Sequence, residues 1–179
     1  MGRITAALFT TVDGSAERPD LWHGPYFDEA MGKAMDRHLG RCESYLMGRV
    51  LHDQWAEYWP GNDSDEFAEF INPIPKFVLS TTLERSGWAG TTVLRSLDDV
   101  RALKERTEGT IGMSGSLSTV RSLLAAGLLD ELVLLVDPVV VSGERRWTDE
   151  LDRTPLELVS SEALPTGVLH VVYRPAAQG

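Results

Sequence analysis

Two nearly continuous apolar runs, residues 3–11 and 131–141, limit the folds open to this chain. A strand that meets water on one face alternates apolar and polar residues, whereas a strand covered on both faces is apolar throughout. The two runs therefore predict strands buried inside a sheet that carries helices on both faces. Pro138 interrupts the second run and predicts a bulge or a break there.

The rest of the chain alternates between strand-like and helix-like patterns. Further strands are predicted at residues 44–47, 76–80, 91–94 and 110–113, with a terminal hairpin formed by 156–163 and 167–173. Helices are predicted at residues 26–39, 50–58, 65–71, 98–106 and 117–126. The pattern predicts an α/β protein with a mixed, mostly parallel sheet of about eight strands, an antiparallel C-terminal hairpin and one domain over residues 1–179.

Charge and cysteine content narrow the function classes. The chain of 179 residues carries 17 Lys and Arg against 27 Asp and Glu, a formal net charge of −10, which disfavours nucleic acid and anionic membranes as partners. Cys42 is the single cysteine, so an internal disulfide, a C-x-x-C motif and a cysteine-rich zinc site are excluded. No apolar run is long enough to span a membrane, and we expect a cytoplasmic protein.

The common catalytic and nucleotide-binding motifs are absent. The sequence contains no G-x-S-x-G, no G-x-G-x-x-G after the first strand and no P-loop. The four histidines, His23, His38, His52 and His170, share no ligand spacing with one another or with Cys42, so no metal site is predicted.

Two strand-to-helix junctions remain as candidate phosphate sites. In the first, Gly48 and Arg49 combine the free N–H groups of a helix start with a permanently charged guanidinium. In the second, the segment from Gly112 to Leu117 contains two glycines and two serines, which let a pyrophosphate approach the backbone. Each glycine could alone serve a tight turn, but two such junctions in one α/β sheet favour a dinucleotide.

Several spaced motifs resemble the dihydrofolate-reductase-like family that includes the reductase domain of bacterial riboflavin biosynthesis. They are residues 6–14 (AALFTTVDG), 46–49 (LMGR), 76–83 (KFVLSTTL), 114–116 (SGS) and 123–132 (LLAAGLLDEL), the last continuing into 136–139 (VDPV). The resemblance covers nearly the whole chain. It implies the three-layer fold of that family and a reductase that uses NADPH as hydride donor.

The resemblance also implies roles for individual residues. It places Gly48, Arg49, Ser80 and Thr81 beside the ribose 2′-phosphate and residues 112–117 around the pyrophosphate, the latter being Gly112, Ser114, Gly115, Ser116 and Leu117. It places Asp13 in a loop that closes over nicotinamide and substrate, where we expect an acid or a water-positioning group. Hydride transfer belongs to the cofactor, which explains why no nucleophile triad is present.

The substrate side rests on weaker patterns. Asp28 opens the first helix, where a pterin-binding carboxylate would lie, although an acid there also suits the helix dipole. Trp22 and Trp55 could wall a pocket for a flat ring, although aromatic residues at helical spacing also form cores. Relatives that act on a ribose phosphate carry a basic residue after the Asp-Gly turn, where this chain has Ser15, and Arg18 is the only basic residue nearby.

The sequence thus predicts an NADPH-dependent reductase of a small pyrimidine-like or pterin-like heterocycle, and a homodimer joined through the apolar final strands. Two alternatives stay open at this point. The first is a nucleotide-binding or interaction module that has kept the fold without catalysis. The second is a flavin-linked reductase.

Overall fold

One eight-stranded sheet organises the residues described by the computed structural model, which are 1–62, 65–142 and 144–176. Its strands are β1 (Arg3–Thr11), β2 (Cys42–Gly48), β3 (Lys76–Leu79), β4 (Thr91–Leu94), β5 (Thr110–Ser114), β6 (Glu131–Asp137), β7 (Leu156–Ala163) and β8 (Leu169–Pro175). They lie in the order β4-β3-β2-β5-β1-β6-β8-β7. The first six are mutually parallel, whereas β8 is antiparallel to β6 and β7 is antiparallel to β8. The predicted fold class is confirmed.

Helices cover both faces of this sheet. They are α1 (Glu29–Leu39), α2 (Arg49–Tyr58), α3 (Glu66–Ile71), α4 (Leu97–Arg106) and α5 (Leu117–Ala125). On one face, Val100 of α4 and Leu123 of α5 pack with Ile4 and Ile111 in the largest core cluster. On the other face, α1, α2 and α3 pack over alternate residues of the same strands, such as Tyr45 and Leu135. This second face is where the sheet and its helices leave an aromatic cavity, described below.

Two predicted boundaries differ from the structure by three residues or more, and each has a local cause. The first helix begins at Glu29 instead of residue 26, because Asp28 accepts a hydrogen bond from the N–H of Met31 at 2.9 Å and so caps the helix there. The segment before it forms a 3-10 turn, Gly24–Tyr26. The strand predicted at 131–141 ends at Asp137, because Pro138 has no N–H to continue the ladder. Of the bulge or break predicted at Pro138, the structure shows the break.

The parallel strands bring several turns to one edge of the sheet. β3, β2, β5 and β1 are neighbours in that order, and each runs in the same direction. The segments that follow their carboxyl ends therefore lie side by side, which is where open α/β sheets bind ligands. Within the described ranges, none of the helices has the length and apolar character needed to cross a membrane.

Candidate functional site

The two glycine-containing junctions meet at the carboxyl edge of the sheet. The N–H of Gly48, at the end of β2, donates a hydrogen bond of 2.8 Å to Oγ of Ser116, which follows β5. A Cβ built on Gly48 would lie 2.6 Å from Oγ1 of Thr119 on α5. Only glycine fits this contact without displacing a neighbour. The junctions before α2 and α5 are thus in direct contact, as the convergence of two helix N-termini requires.

This contact changes one detail of the predicted phosphate site. The N–H of Gly48 is not free, because Ser116 accepts it. Neither helix start is capped by a side chain, because Gly48 has none and the Ser116 hydroxyl makes no hydrogen bond to the first turn of α5. Gly115 and Ser116 both have left-handed backbones, with φ of 55° and 53°. Such a conformation suits glycine and is strained for serine, which indicates that the turn is held by its surroundings.

A cavity of about 390 Å³ opens over these junctions. Its walls come from the ends of β2, β3 and β4 and from the first turns of α2 and α5. Backbone turns, hydroxyl groups and two arginines dominate the lining, which consists of Gly48, Arg49, Val50, Leu51, Leu79, Ser80, Thr81, Thr82, Arg95, Ser116, Ser118, Thr119 and Ser122. Of the residues predicted near a ribose phosphate, Gly48, Arg49, Ser80 and Thr81 all lie in this wall. We call it the phosphate cavity.

Arg49 lies at the rim of the phosphate cavity, within a chain of polar contacts. Its Nε donates to Oδ2 of Asp53 at 2.6 Å, and its Nη1 lies 3.4 Å from Oγ1 of Thr82. His52 contacts the other Asp53 oxygen through Nδ1 at 2.9 Å and Ser86 through Nε2 at 2.8 Å. Partial burial acts to raise the pKa of Asp53, but the hydrogen bonds from Arg49 and His52 outweigh it and lower that pKa. The guanidinium is therefore oriented by an ionised carboxylate.

Arg95 is a second cation in this wall, and the sequence reasoning missed it. Its guanidinium donates to the carbonyl oxygens of Ser80 at 3.3 Å and Glu84 at 3.4 Å. Arg95 directly follows β4, a strand whose bounds were predicted correctly. Its position after a parallel strand could have placed it at the carboxyl edge, because the ends of such strands share one edge.

A second, apolar cavity of about 190 Å³ lies between the sheet and α1, α2 and α3. The strands contribute Ala7, Phe9, Tyr45, Ser114 and Leu135. The helices contribute Met35, Trp55 and Phe67, and Trp59 follows the end of α2. We call it the aromatic cavity. Trp55, predicted to wall a ring pocket, lies in it.

Stacked rings build one side of the aromatic cavity. Tyr45 stacks on Trp55 with ring centroids 5.7 Å apart, and Trp55 meets Phe67 edge-on at 5.1 Å. The hydroxyl of Tyr45 donates to Oγ of Ser114 at 2.7 Å. Burial raises the pKa of Tyr45, so this phenol stays neutral. A flat ring could extend this stack, with the Ser114 hydroxyl beside it.

The turn at residues 114–116 separates the two cavities. Ser114 lines the aromatic cavity and Ser116 lines the phosphate cavity, with Gly115 between them. The other two residues predicted around a pyrophosphate lie further away. Gly112 is buried inside β5, where a Cβ would lie 2.5 Å from Sγ of Cys42, so its small size serves packing. Leu117 starts α5 and packs against the core.

The remaining predicted residues have structural contacts of their own. Asp13 accepts hydrogen bonds from the hydroxyls of Thr11 and Ser15 and from the N–H of Val141. The hydrogen bond from Thr11, the largest influence, lowers the pKa of Asp13, so the group is ionised and holds the turn after β1. Asp28 caps α1.

Trp22 is buried and donates through Nε1 to the carbonyl oxygen of Glu17 at 3.1 Å. Like Asp13 and Asp28, it lines neither cavity. Among the residues that the structure describes, no group of three or more His, Cys, Asp or Glu side chains is placed to hold a metal ion.

Comparisons with known proteins agree with this architecture. A family model for the RibD C-terminal domain matches residues 3–170. No curated protein sequence matches the chain. Among solved structures, a Shewanella sp. PV-4 protein provisionally assigned to riboflavin biosynthesis has a TM-score of 0.72 at 17% identity, covering 98% of this chain and 99% of that one.

Two further solved structures share the fold. A pyrimidine reductase-like protein from Corynebacterium diphtheriae has a TM-score of 0.67 at 16% identity, covering 98% of this chain and 92% of its own. Dihydrofolate reductase from Enterococcus faecalis, in a complex with NADP(H), has a TM-score of 0.66 at 16% identity, covering 98% of this chain and 97% of its own. At these identities the likeness concerns the fold.

Proposed function

Because the chain belongs to the RibD C-terminal domain family, we propose that it is a reductase that takes a hydride from NADPH and delivers it to a small heterocycle of pyrimidine or pterin type. The contact between Gly48 and Ser116 carries this proposal, since it joins two strand-to-helix junctions at one edge of the sheet. A dinucleotide needs such a shared edge, because its phosphates and its two rings extend over several strands.

The phosphate cavity has the chemistry that the phosphates of NADPH require. Arg49 and Arg95 supply two permanent charges, and Ser80, Thr81 and Thr82 supply hydroxyls around them. A phosphate monoester is recognised by guanidinium forks and hydroxyl donors of this kind. We therefore assign these five residues to the ribose 2′-phosphate.

The turn at residues 114–116 and the N-terminus of α5 are assigned to the pyrophosphate. The glycine allows close approach of the backbone, and the helix N-terminus favours negative charge. The aromatic cavity then receives the ring that is reduced. Bound NADPH supplies the hydride, while the chain orients the rings and excludes water.

Arginine substitutions test the assignment of the phosphate cavity. By calorimetry, we expect Arg49→Ala to weaken NADP⁺ binding about 30-fold and NAD⁺ binding less than about threefold, because only NADP⁺ carries the 2′-phosphate. Arg95→Ala should give the same pattern. Arg101→Ala, on the exposed side of α4, is the matched control and should change neither affinity.

Three outcomes decide the proposal. Equal losses for NADP⁺ and NAD⁺ would remove Arg49 from the 2′-phosphate. If the unchanged protein binds neither dinucleotide, the proposed reductase function is contradicted. Tight binding of NADPH without its oxidation by any pyrimidine or pterin would instead support a non-catalytic nucleotide-binding module.

We further propose that two copies pair through β7. This strand forms one edge of the sheet, and its apolar residues Leu158 and Val159 are 58% and 54% exposed. An exposed apolar edge strand is a favourable surface for pairing with another strand. Sedimentation should give a dimer that Leu158→Asp dissociates and that Leu21→Asp, at another exposed apolar residue, leaves intact. A monomer at high micromolar concentration would contradict the proposal.

The state of Cys42 supports the cytoplasm as the proposed compartment. The thiol is buried and free, and burial raises its pKa to about 11. It stays protonated at neutral pH, which suits a structural residue in a reducing environment.

A further inference from the structure

We infer that the aromatic cavity takes an uncharged planar ring with a hydrogen-bond acceptor directed at Ser114, and that this ring belongs to the substrate. Every described residue that lines the cavity is uncharged, and five of them are aromatic: Phe9, Tyr45, Trp55, Trp59 and Phe67. The inference rests on the proposed function and deepens it by naming the substrate class.

The charged side chains that the sequence suggested for the substrate side have partners of their own and do not line this cavity. Asp28 caps α1, and Asp13 holds the turn after β1. Arg18, the basic residue nearest the Asp-Gly turn in sequence, is exposed and pairs with Asp20 at 2.9 Å. A phosphate or carboxylate in the aromatic cavity would therefore lie in an apolar site without a counter-ion, which is strongly unfavourable.

One buried pair of ionisable side chains lies close by, behind Phe9. His23 stacks on Phe9 with ring centroids 3.9 Å apart, and its Nδ1 lies 2.8 Å from Oδ2 of the fully buried Asp137. This contact joins one polar atom of each side chain, and neither residue lines the aromatic cavity. They cannot serve as the counter-ion of a charged substrate.

Ser114 is a polar group of the lining that can meet a neutral ring. Its oxygen accepts the hydroxyl proton of Tyr45, so its own hydroxyl proton is left to donate to a ligand. Tyr45 thus positions Ser114, and a carbonyl oxygen on the ring would be the natural acceptor. A pyrimidine without a phosphate or carboxylate group meets these requirements.

Orotamide and orotate provide a matched pair of probes. Both are uracils, and the carboxamide of the first has the shape of the carboxylate of the second but no charge. By calorimetry on the unliganded protein, orotamide should bind at least about 30-fold more tightly. Equal affinities for orotate and orotamide would overturn the inference. So would competition between orotamide and NADP⁺, because the cavity would then hold the dinucleotide's own ring.

Substitutions at Met35 test the origin of this preference. Met35→Lys places a cation on the cavity wall and should raise the affinity for orotate at least about tenfold. Met35→Leu adds no charge and should leave the preference for orotamide over orotate unchanged. Ser114→Ala should weaken orotamide about fivefold through the lost hydrogen bond. Unchanged orotamide binding by Ser114→Ala would remove Ser114 as the anchor.

These outcomes are separable from those of the proposed function. NADP⁺ binding reports on the phosphate cavity, whereas the uracil pair reports on the aromatic cavity. If the protein binds orotamide but does not bind NADP⁺, the proposed reductase function is contradicted. Retention of NADP⁺ binding without the preference for the neutral ring would remove only this inference.

Discussion

The two cavities lie on opposite sides of a three-residue turn and have opposite chemistry. The phosphate cavity contains two arginines and a series of hydroxyls, whereas the aromatic cavity contains rings, aliphatic side chains and one serine. The difference follows from the fold. The first is built from loops and helix starts at the sheet edge, where polar residues are common. The second is built between buried strand residues and helices, where apolar residues are required.

Under the proposed function, this contrast divides binding into two parts. Charged groups would recognise a ligand in the phosphate cavity, and shape with desolvation would recognise one in the aromatic cavity. The largest expected effect is on folding stability, which changes with pH and so limits the conditions under which the two cavities can be compared. It comes from a buried histidine near the amino-terminal edge of the sheet, outside both cavities.

His38 sets the pH range in which the cavities can be compared. Burial lowers its pKa to about 4, with nearby Arg41 acting in the same direction. The unfolded chain therefore takes up the proton first as the pH falls below about 6.5, and folding stability decreases down to the folded-state pKa. We expect a loss of roughly 3 kcal/mol between pH 7 and pH 4 from this residue.

Chemical unfolding at several pH values measures this loss. His38→Gln, which cannot take up the proton, should lack this part of the decrease. Parallel pH curves for the two proteins would show that His38 is not responsible. Ligand affinities for the two cavities are best compared above pH 6.5, where this contribution is absent.

Gly48→Ala should break the phosphate cavity and leave the aromatic cavity intact. The added Cβ meets Oγ1 of Thr119 at 2.6 Å, and overpacking of this kind costs about 2 kcal/mol. We expect NADP⁺ affinity to fall about 30-fold and orotamide affinity to stay unchanged. The second change Thr119→Ala removes the colliding oxygen and should restore NADP⁺ binding. An equal loss of both ligands would mean that the cavities are not independent.

Salt should separate the cavities by a smaller amount. Exposed charges are screened by ions, whereas burial of a neutral ring is not. Raising KCl from 50 mM to 500 mM should weaken NADP⁺ binding about threefold and leave orotamide binding unchanged. A common response of both ligands would contradict the division into a charged and an apolar site.

The sequence predicted the fold well where local signals and global packing agree. Thr91–Leu94 matches its predicted bounds, and the helix predicted at residues 98–106 begins one residue earlier, after the cap at Ser96. The errors arise where a local contact decides a boundary. Asp28 caps the first helix, which therefore begins at Glu29 and not at residue 26, and Pro138 ends β6.

The candidate site was predictable only in part. Gly48, Arg49, Ser80 and Thr81 share a wall because the ends of parallel strands share an edge, which topology alone implies. The hydrogen bond between Gly48 and Ser116 joins residues 68 positions apart, so no local pattern contains it. The contacts that hold Asp13 come from residues as distant in sequence as Val141. The sequence alone therefore could not distinguish a structural role for Asp13 in the turn from a catalytic role.

The short turn at residues 114–116 also acts as a measure of ligand length. Any molecule that fills both cavities must cross it, with one end beside Ser116 and the other beside Ser114. Once one end is bound, the other is held at a high effective concentration beside its own site, as in a chelate. Two weak halves therefore become one strong ligand when a linker of the right span joins them. An inserted residue between Ser114 and Ser116 would lengthen the gap and remove that advantage, even with every contacting side chain in place.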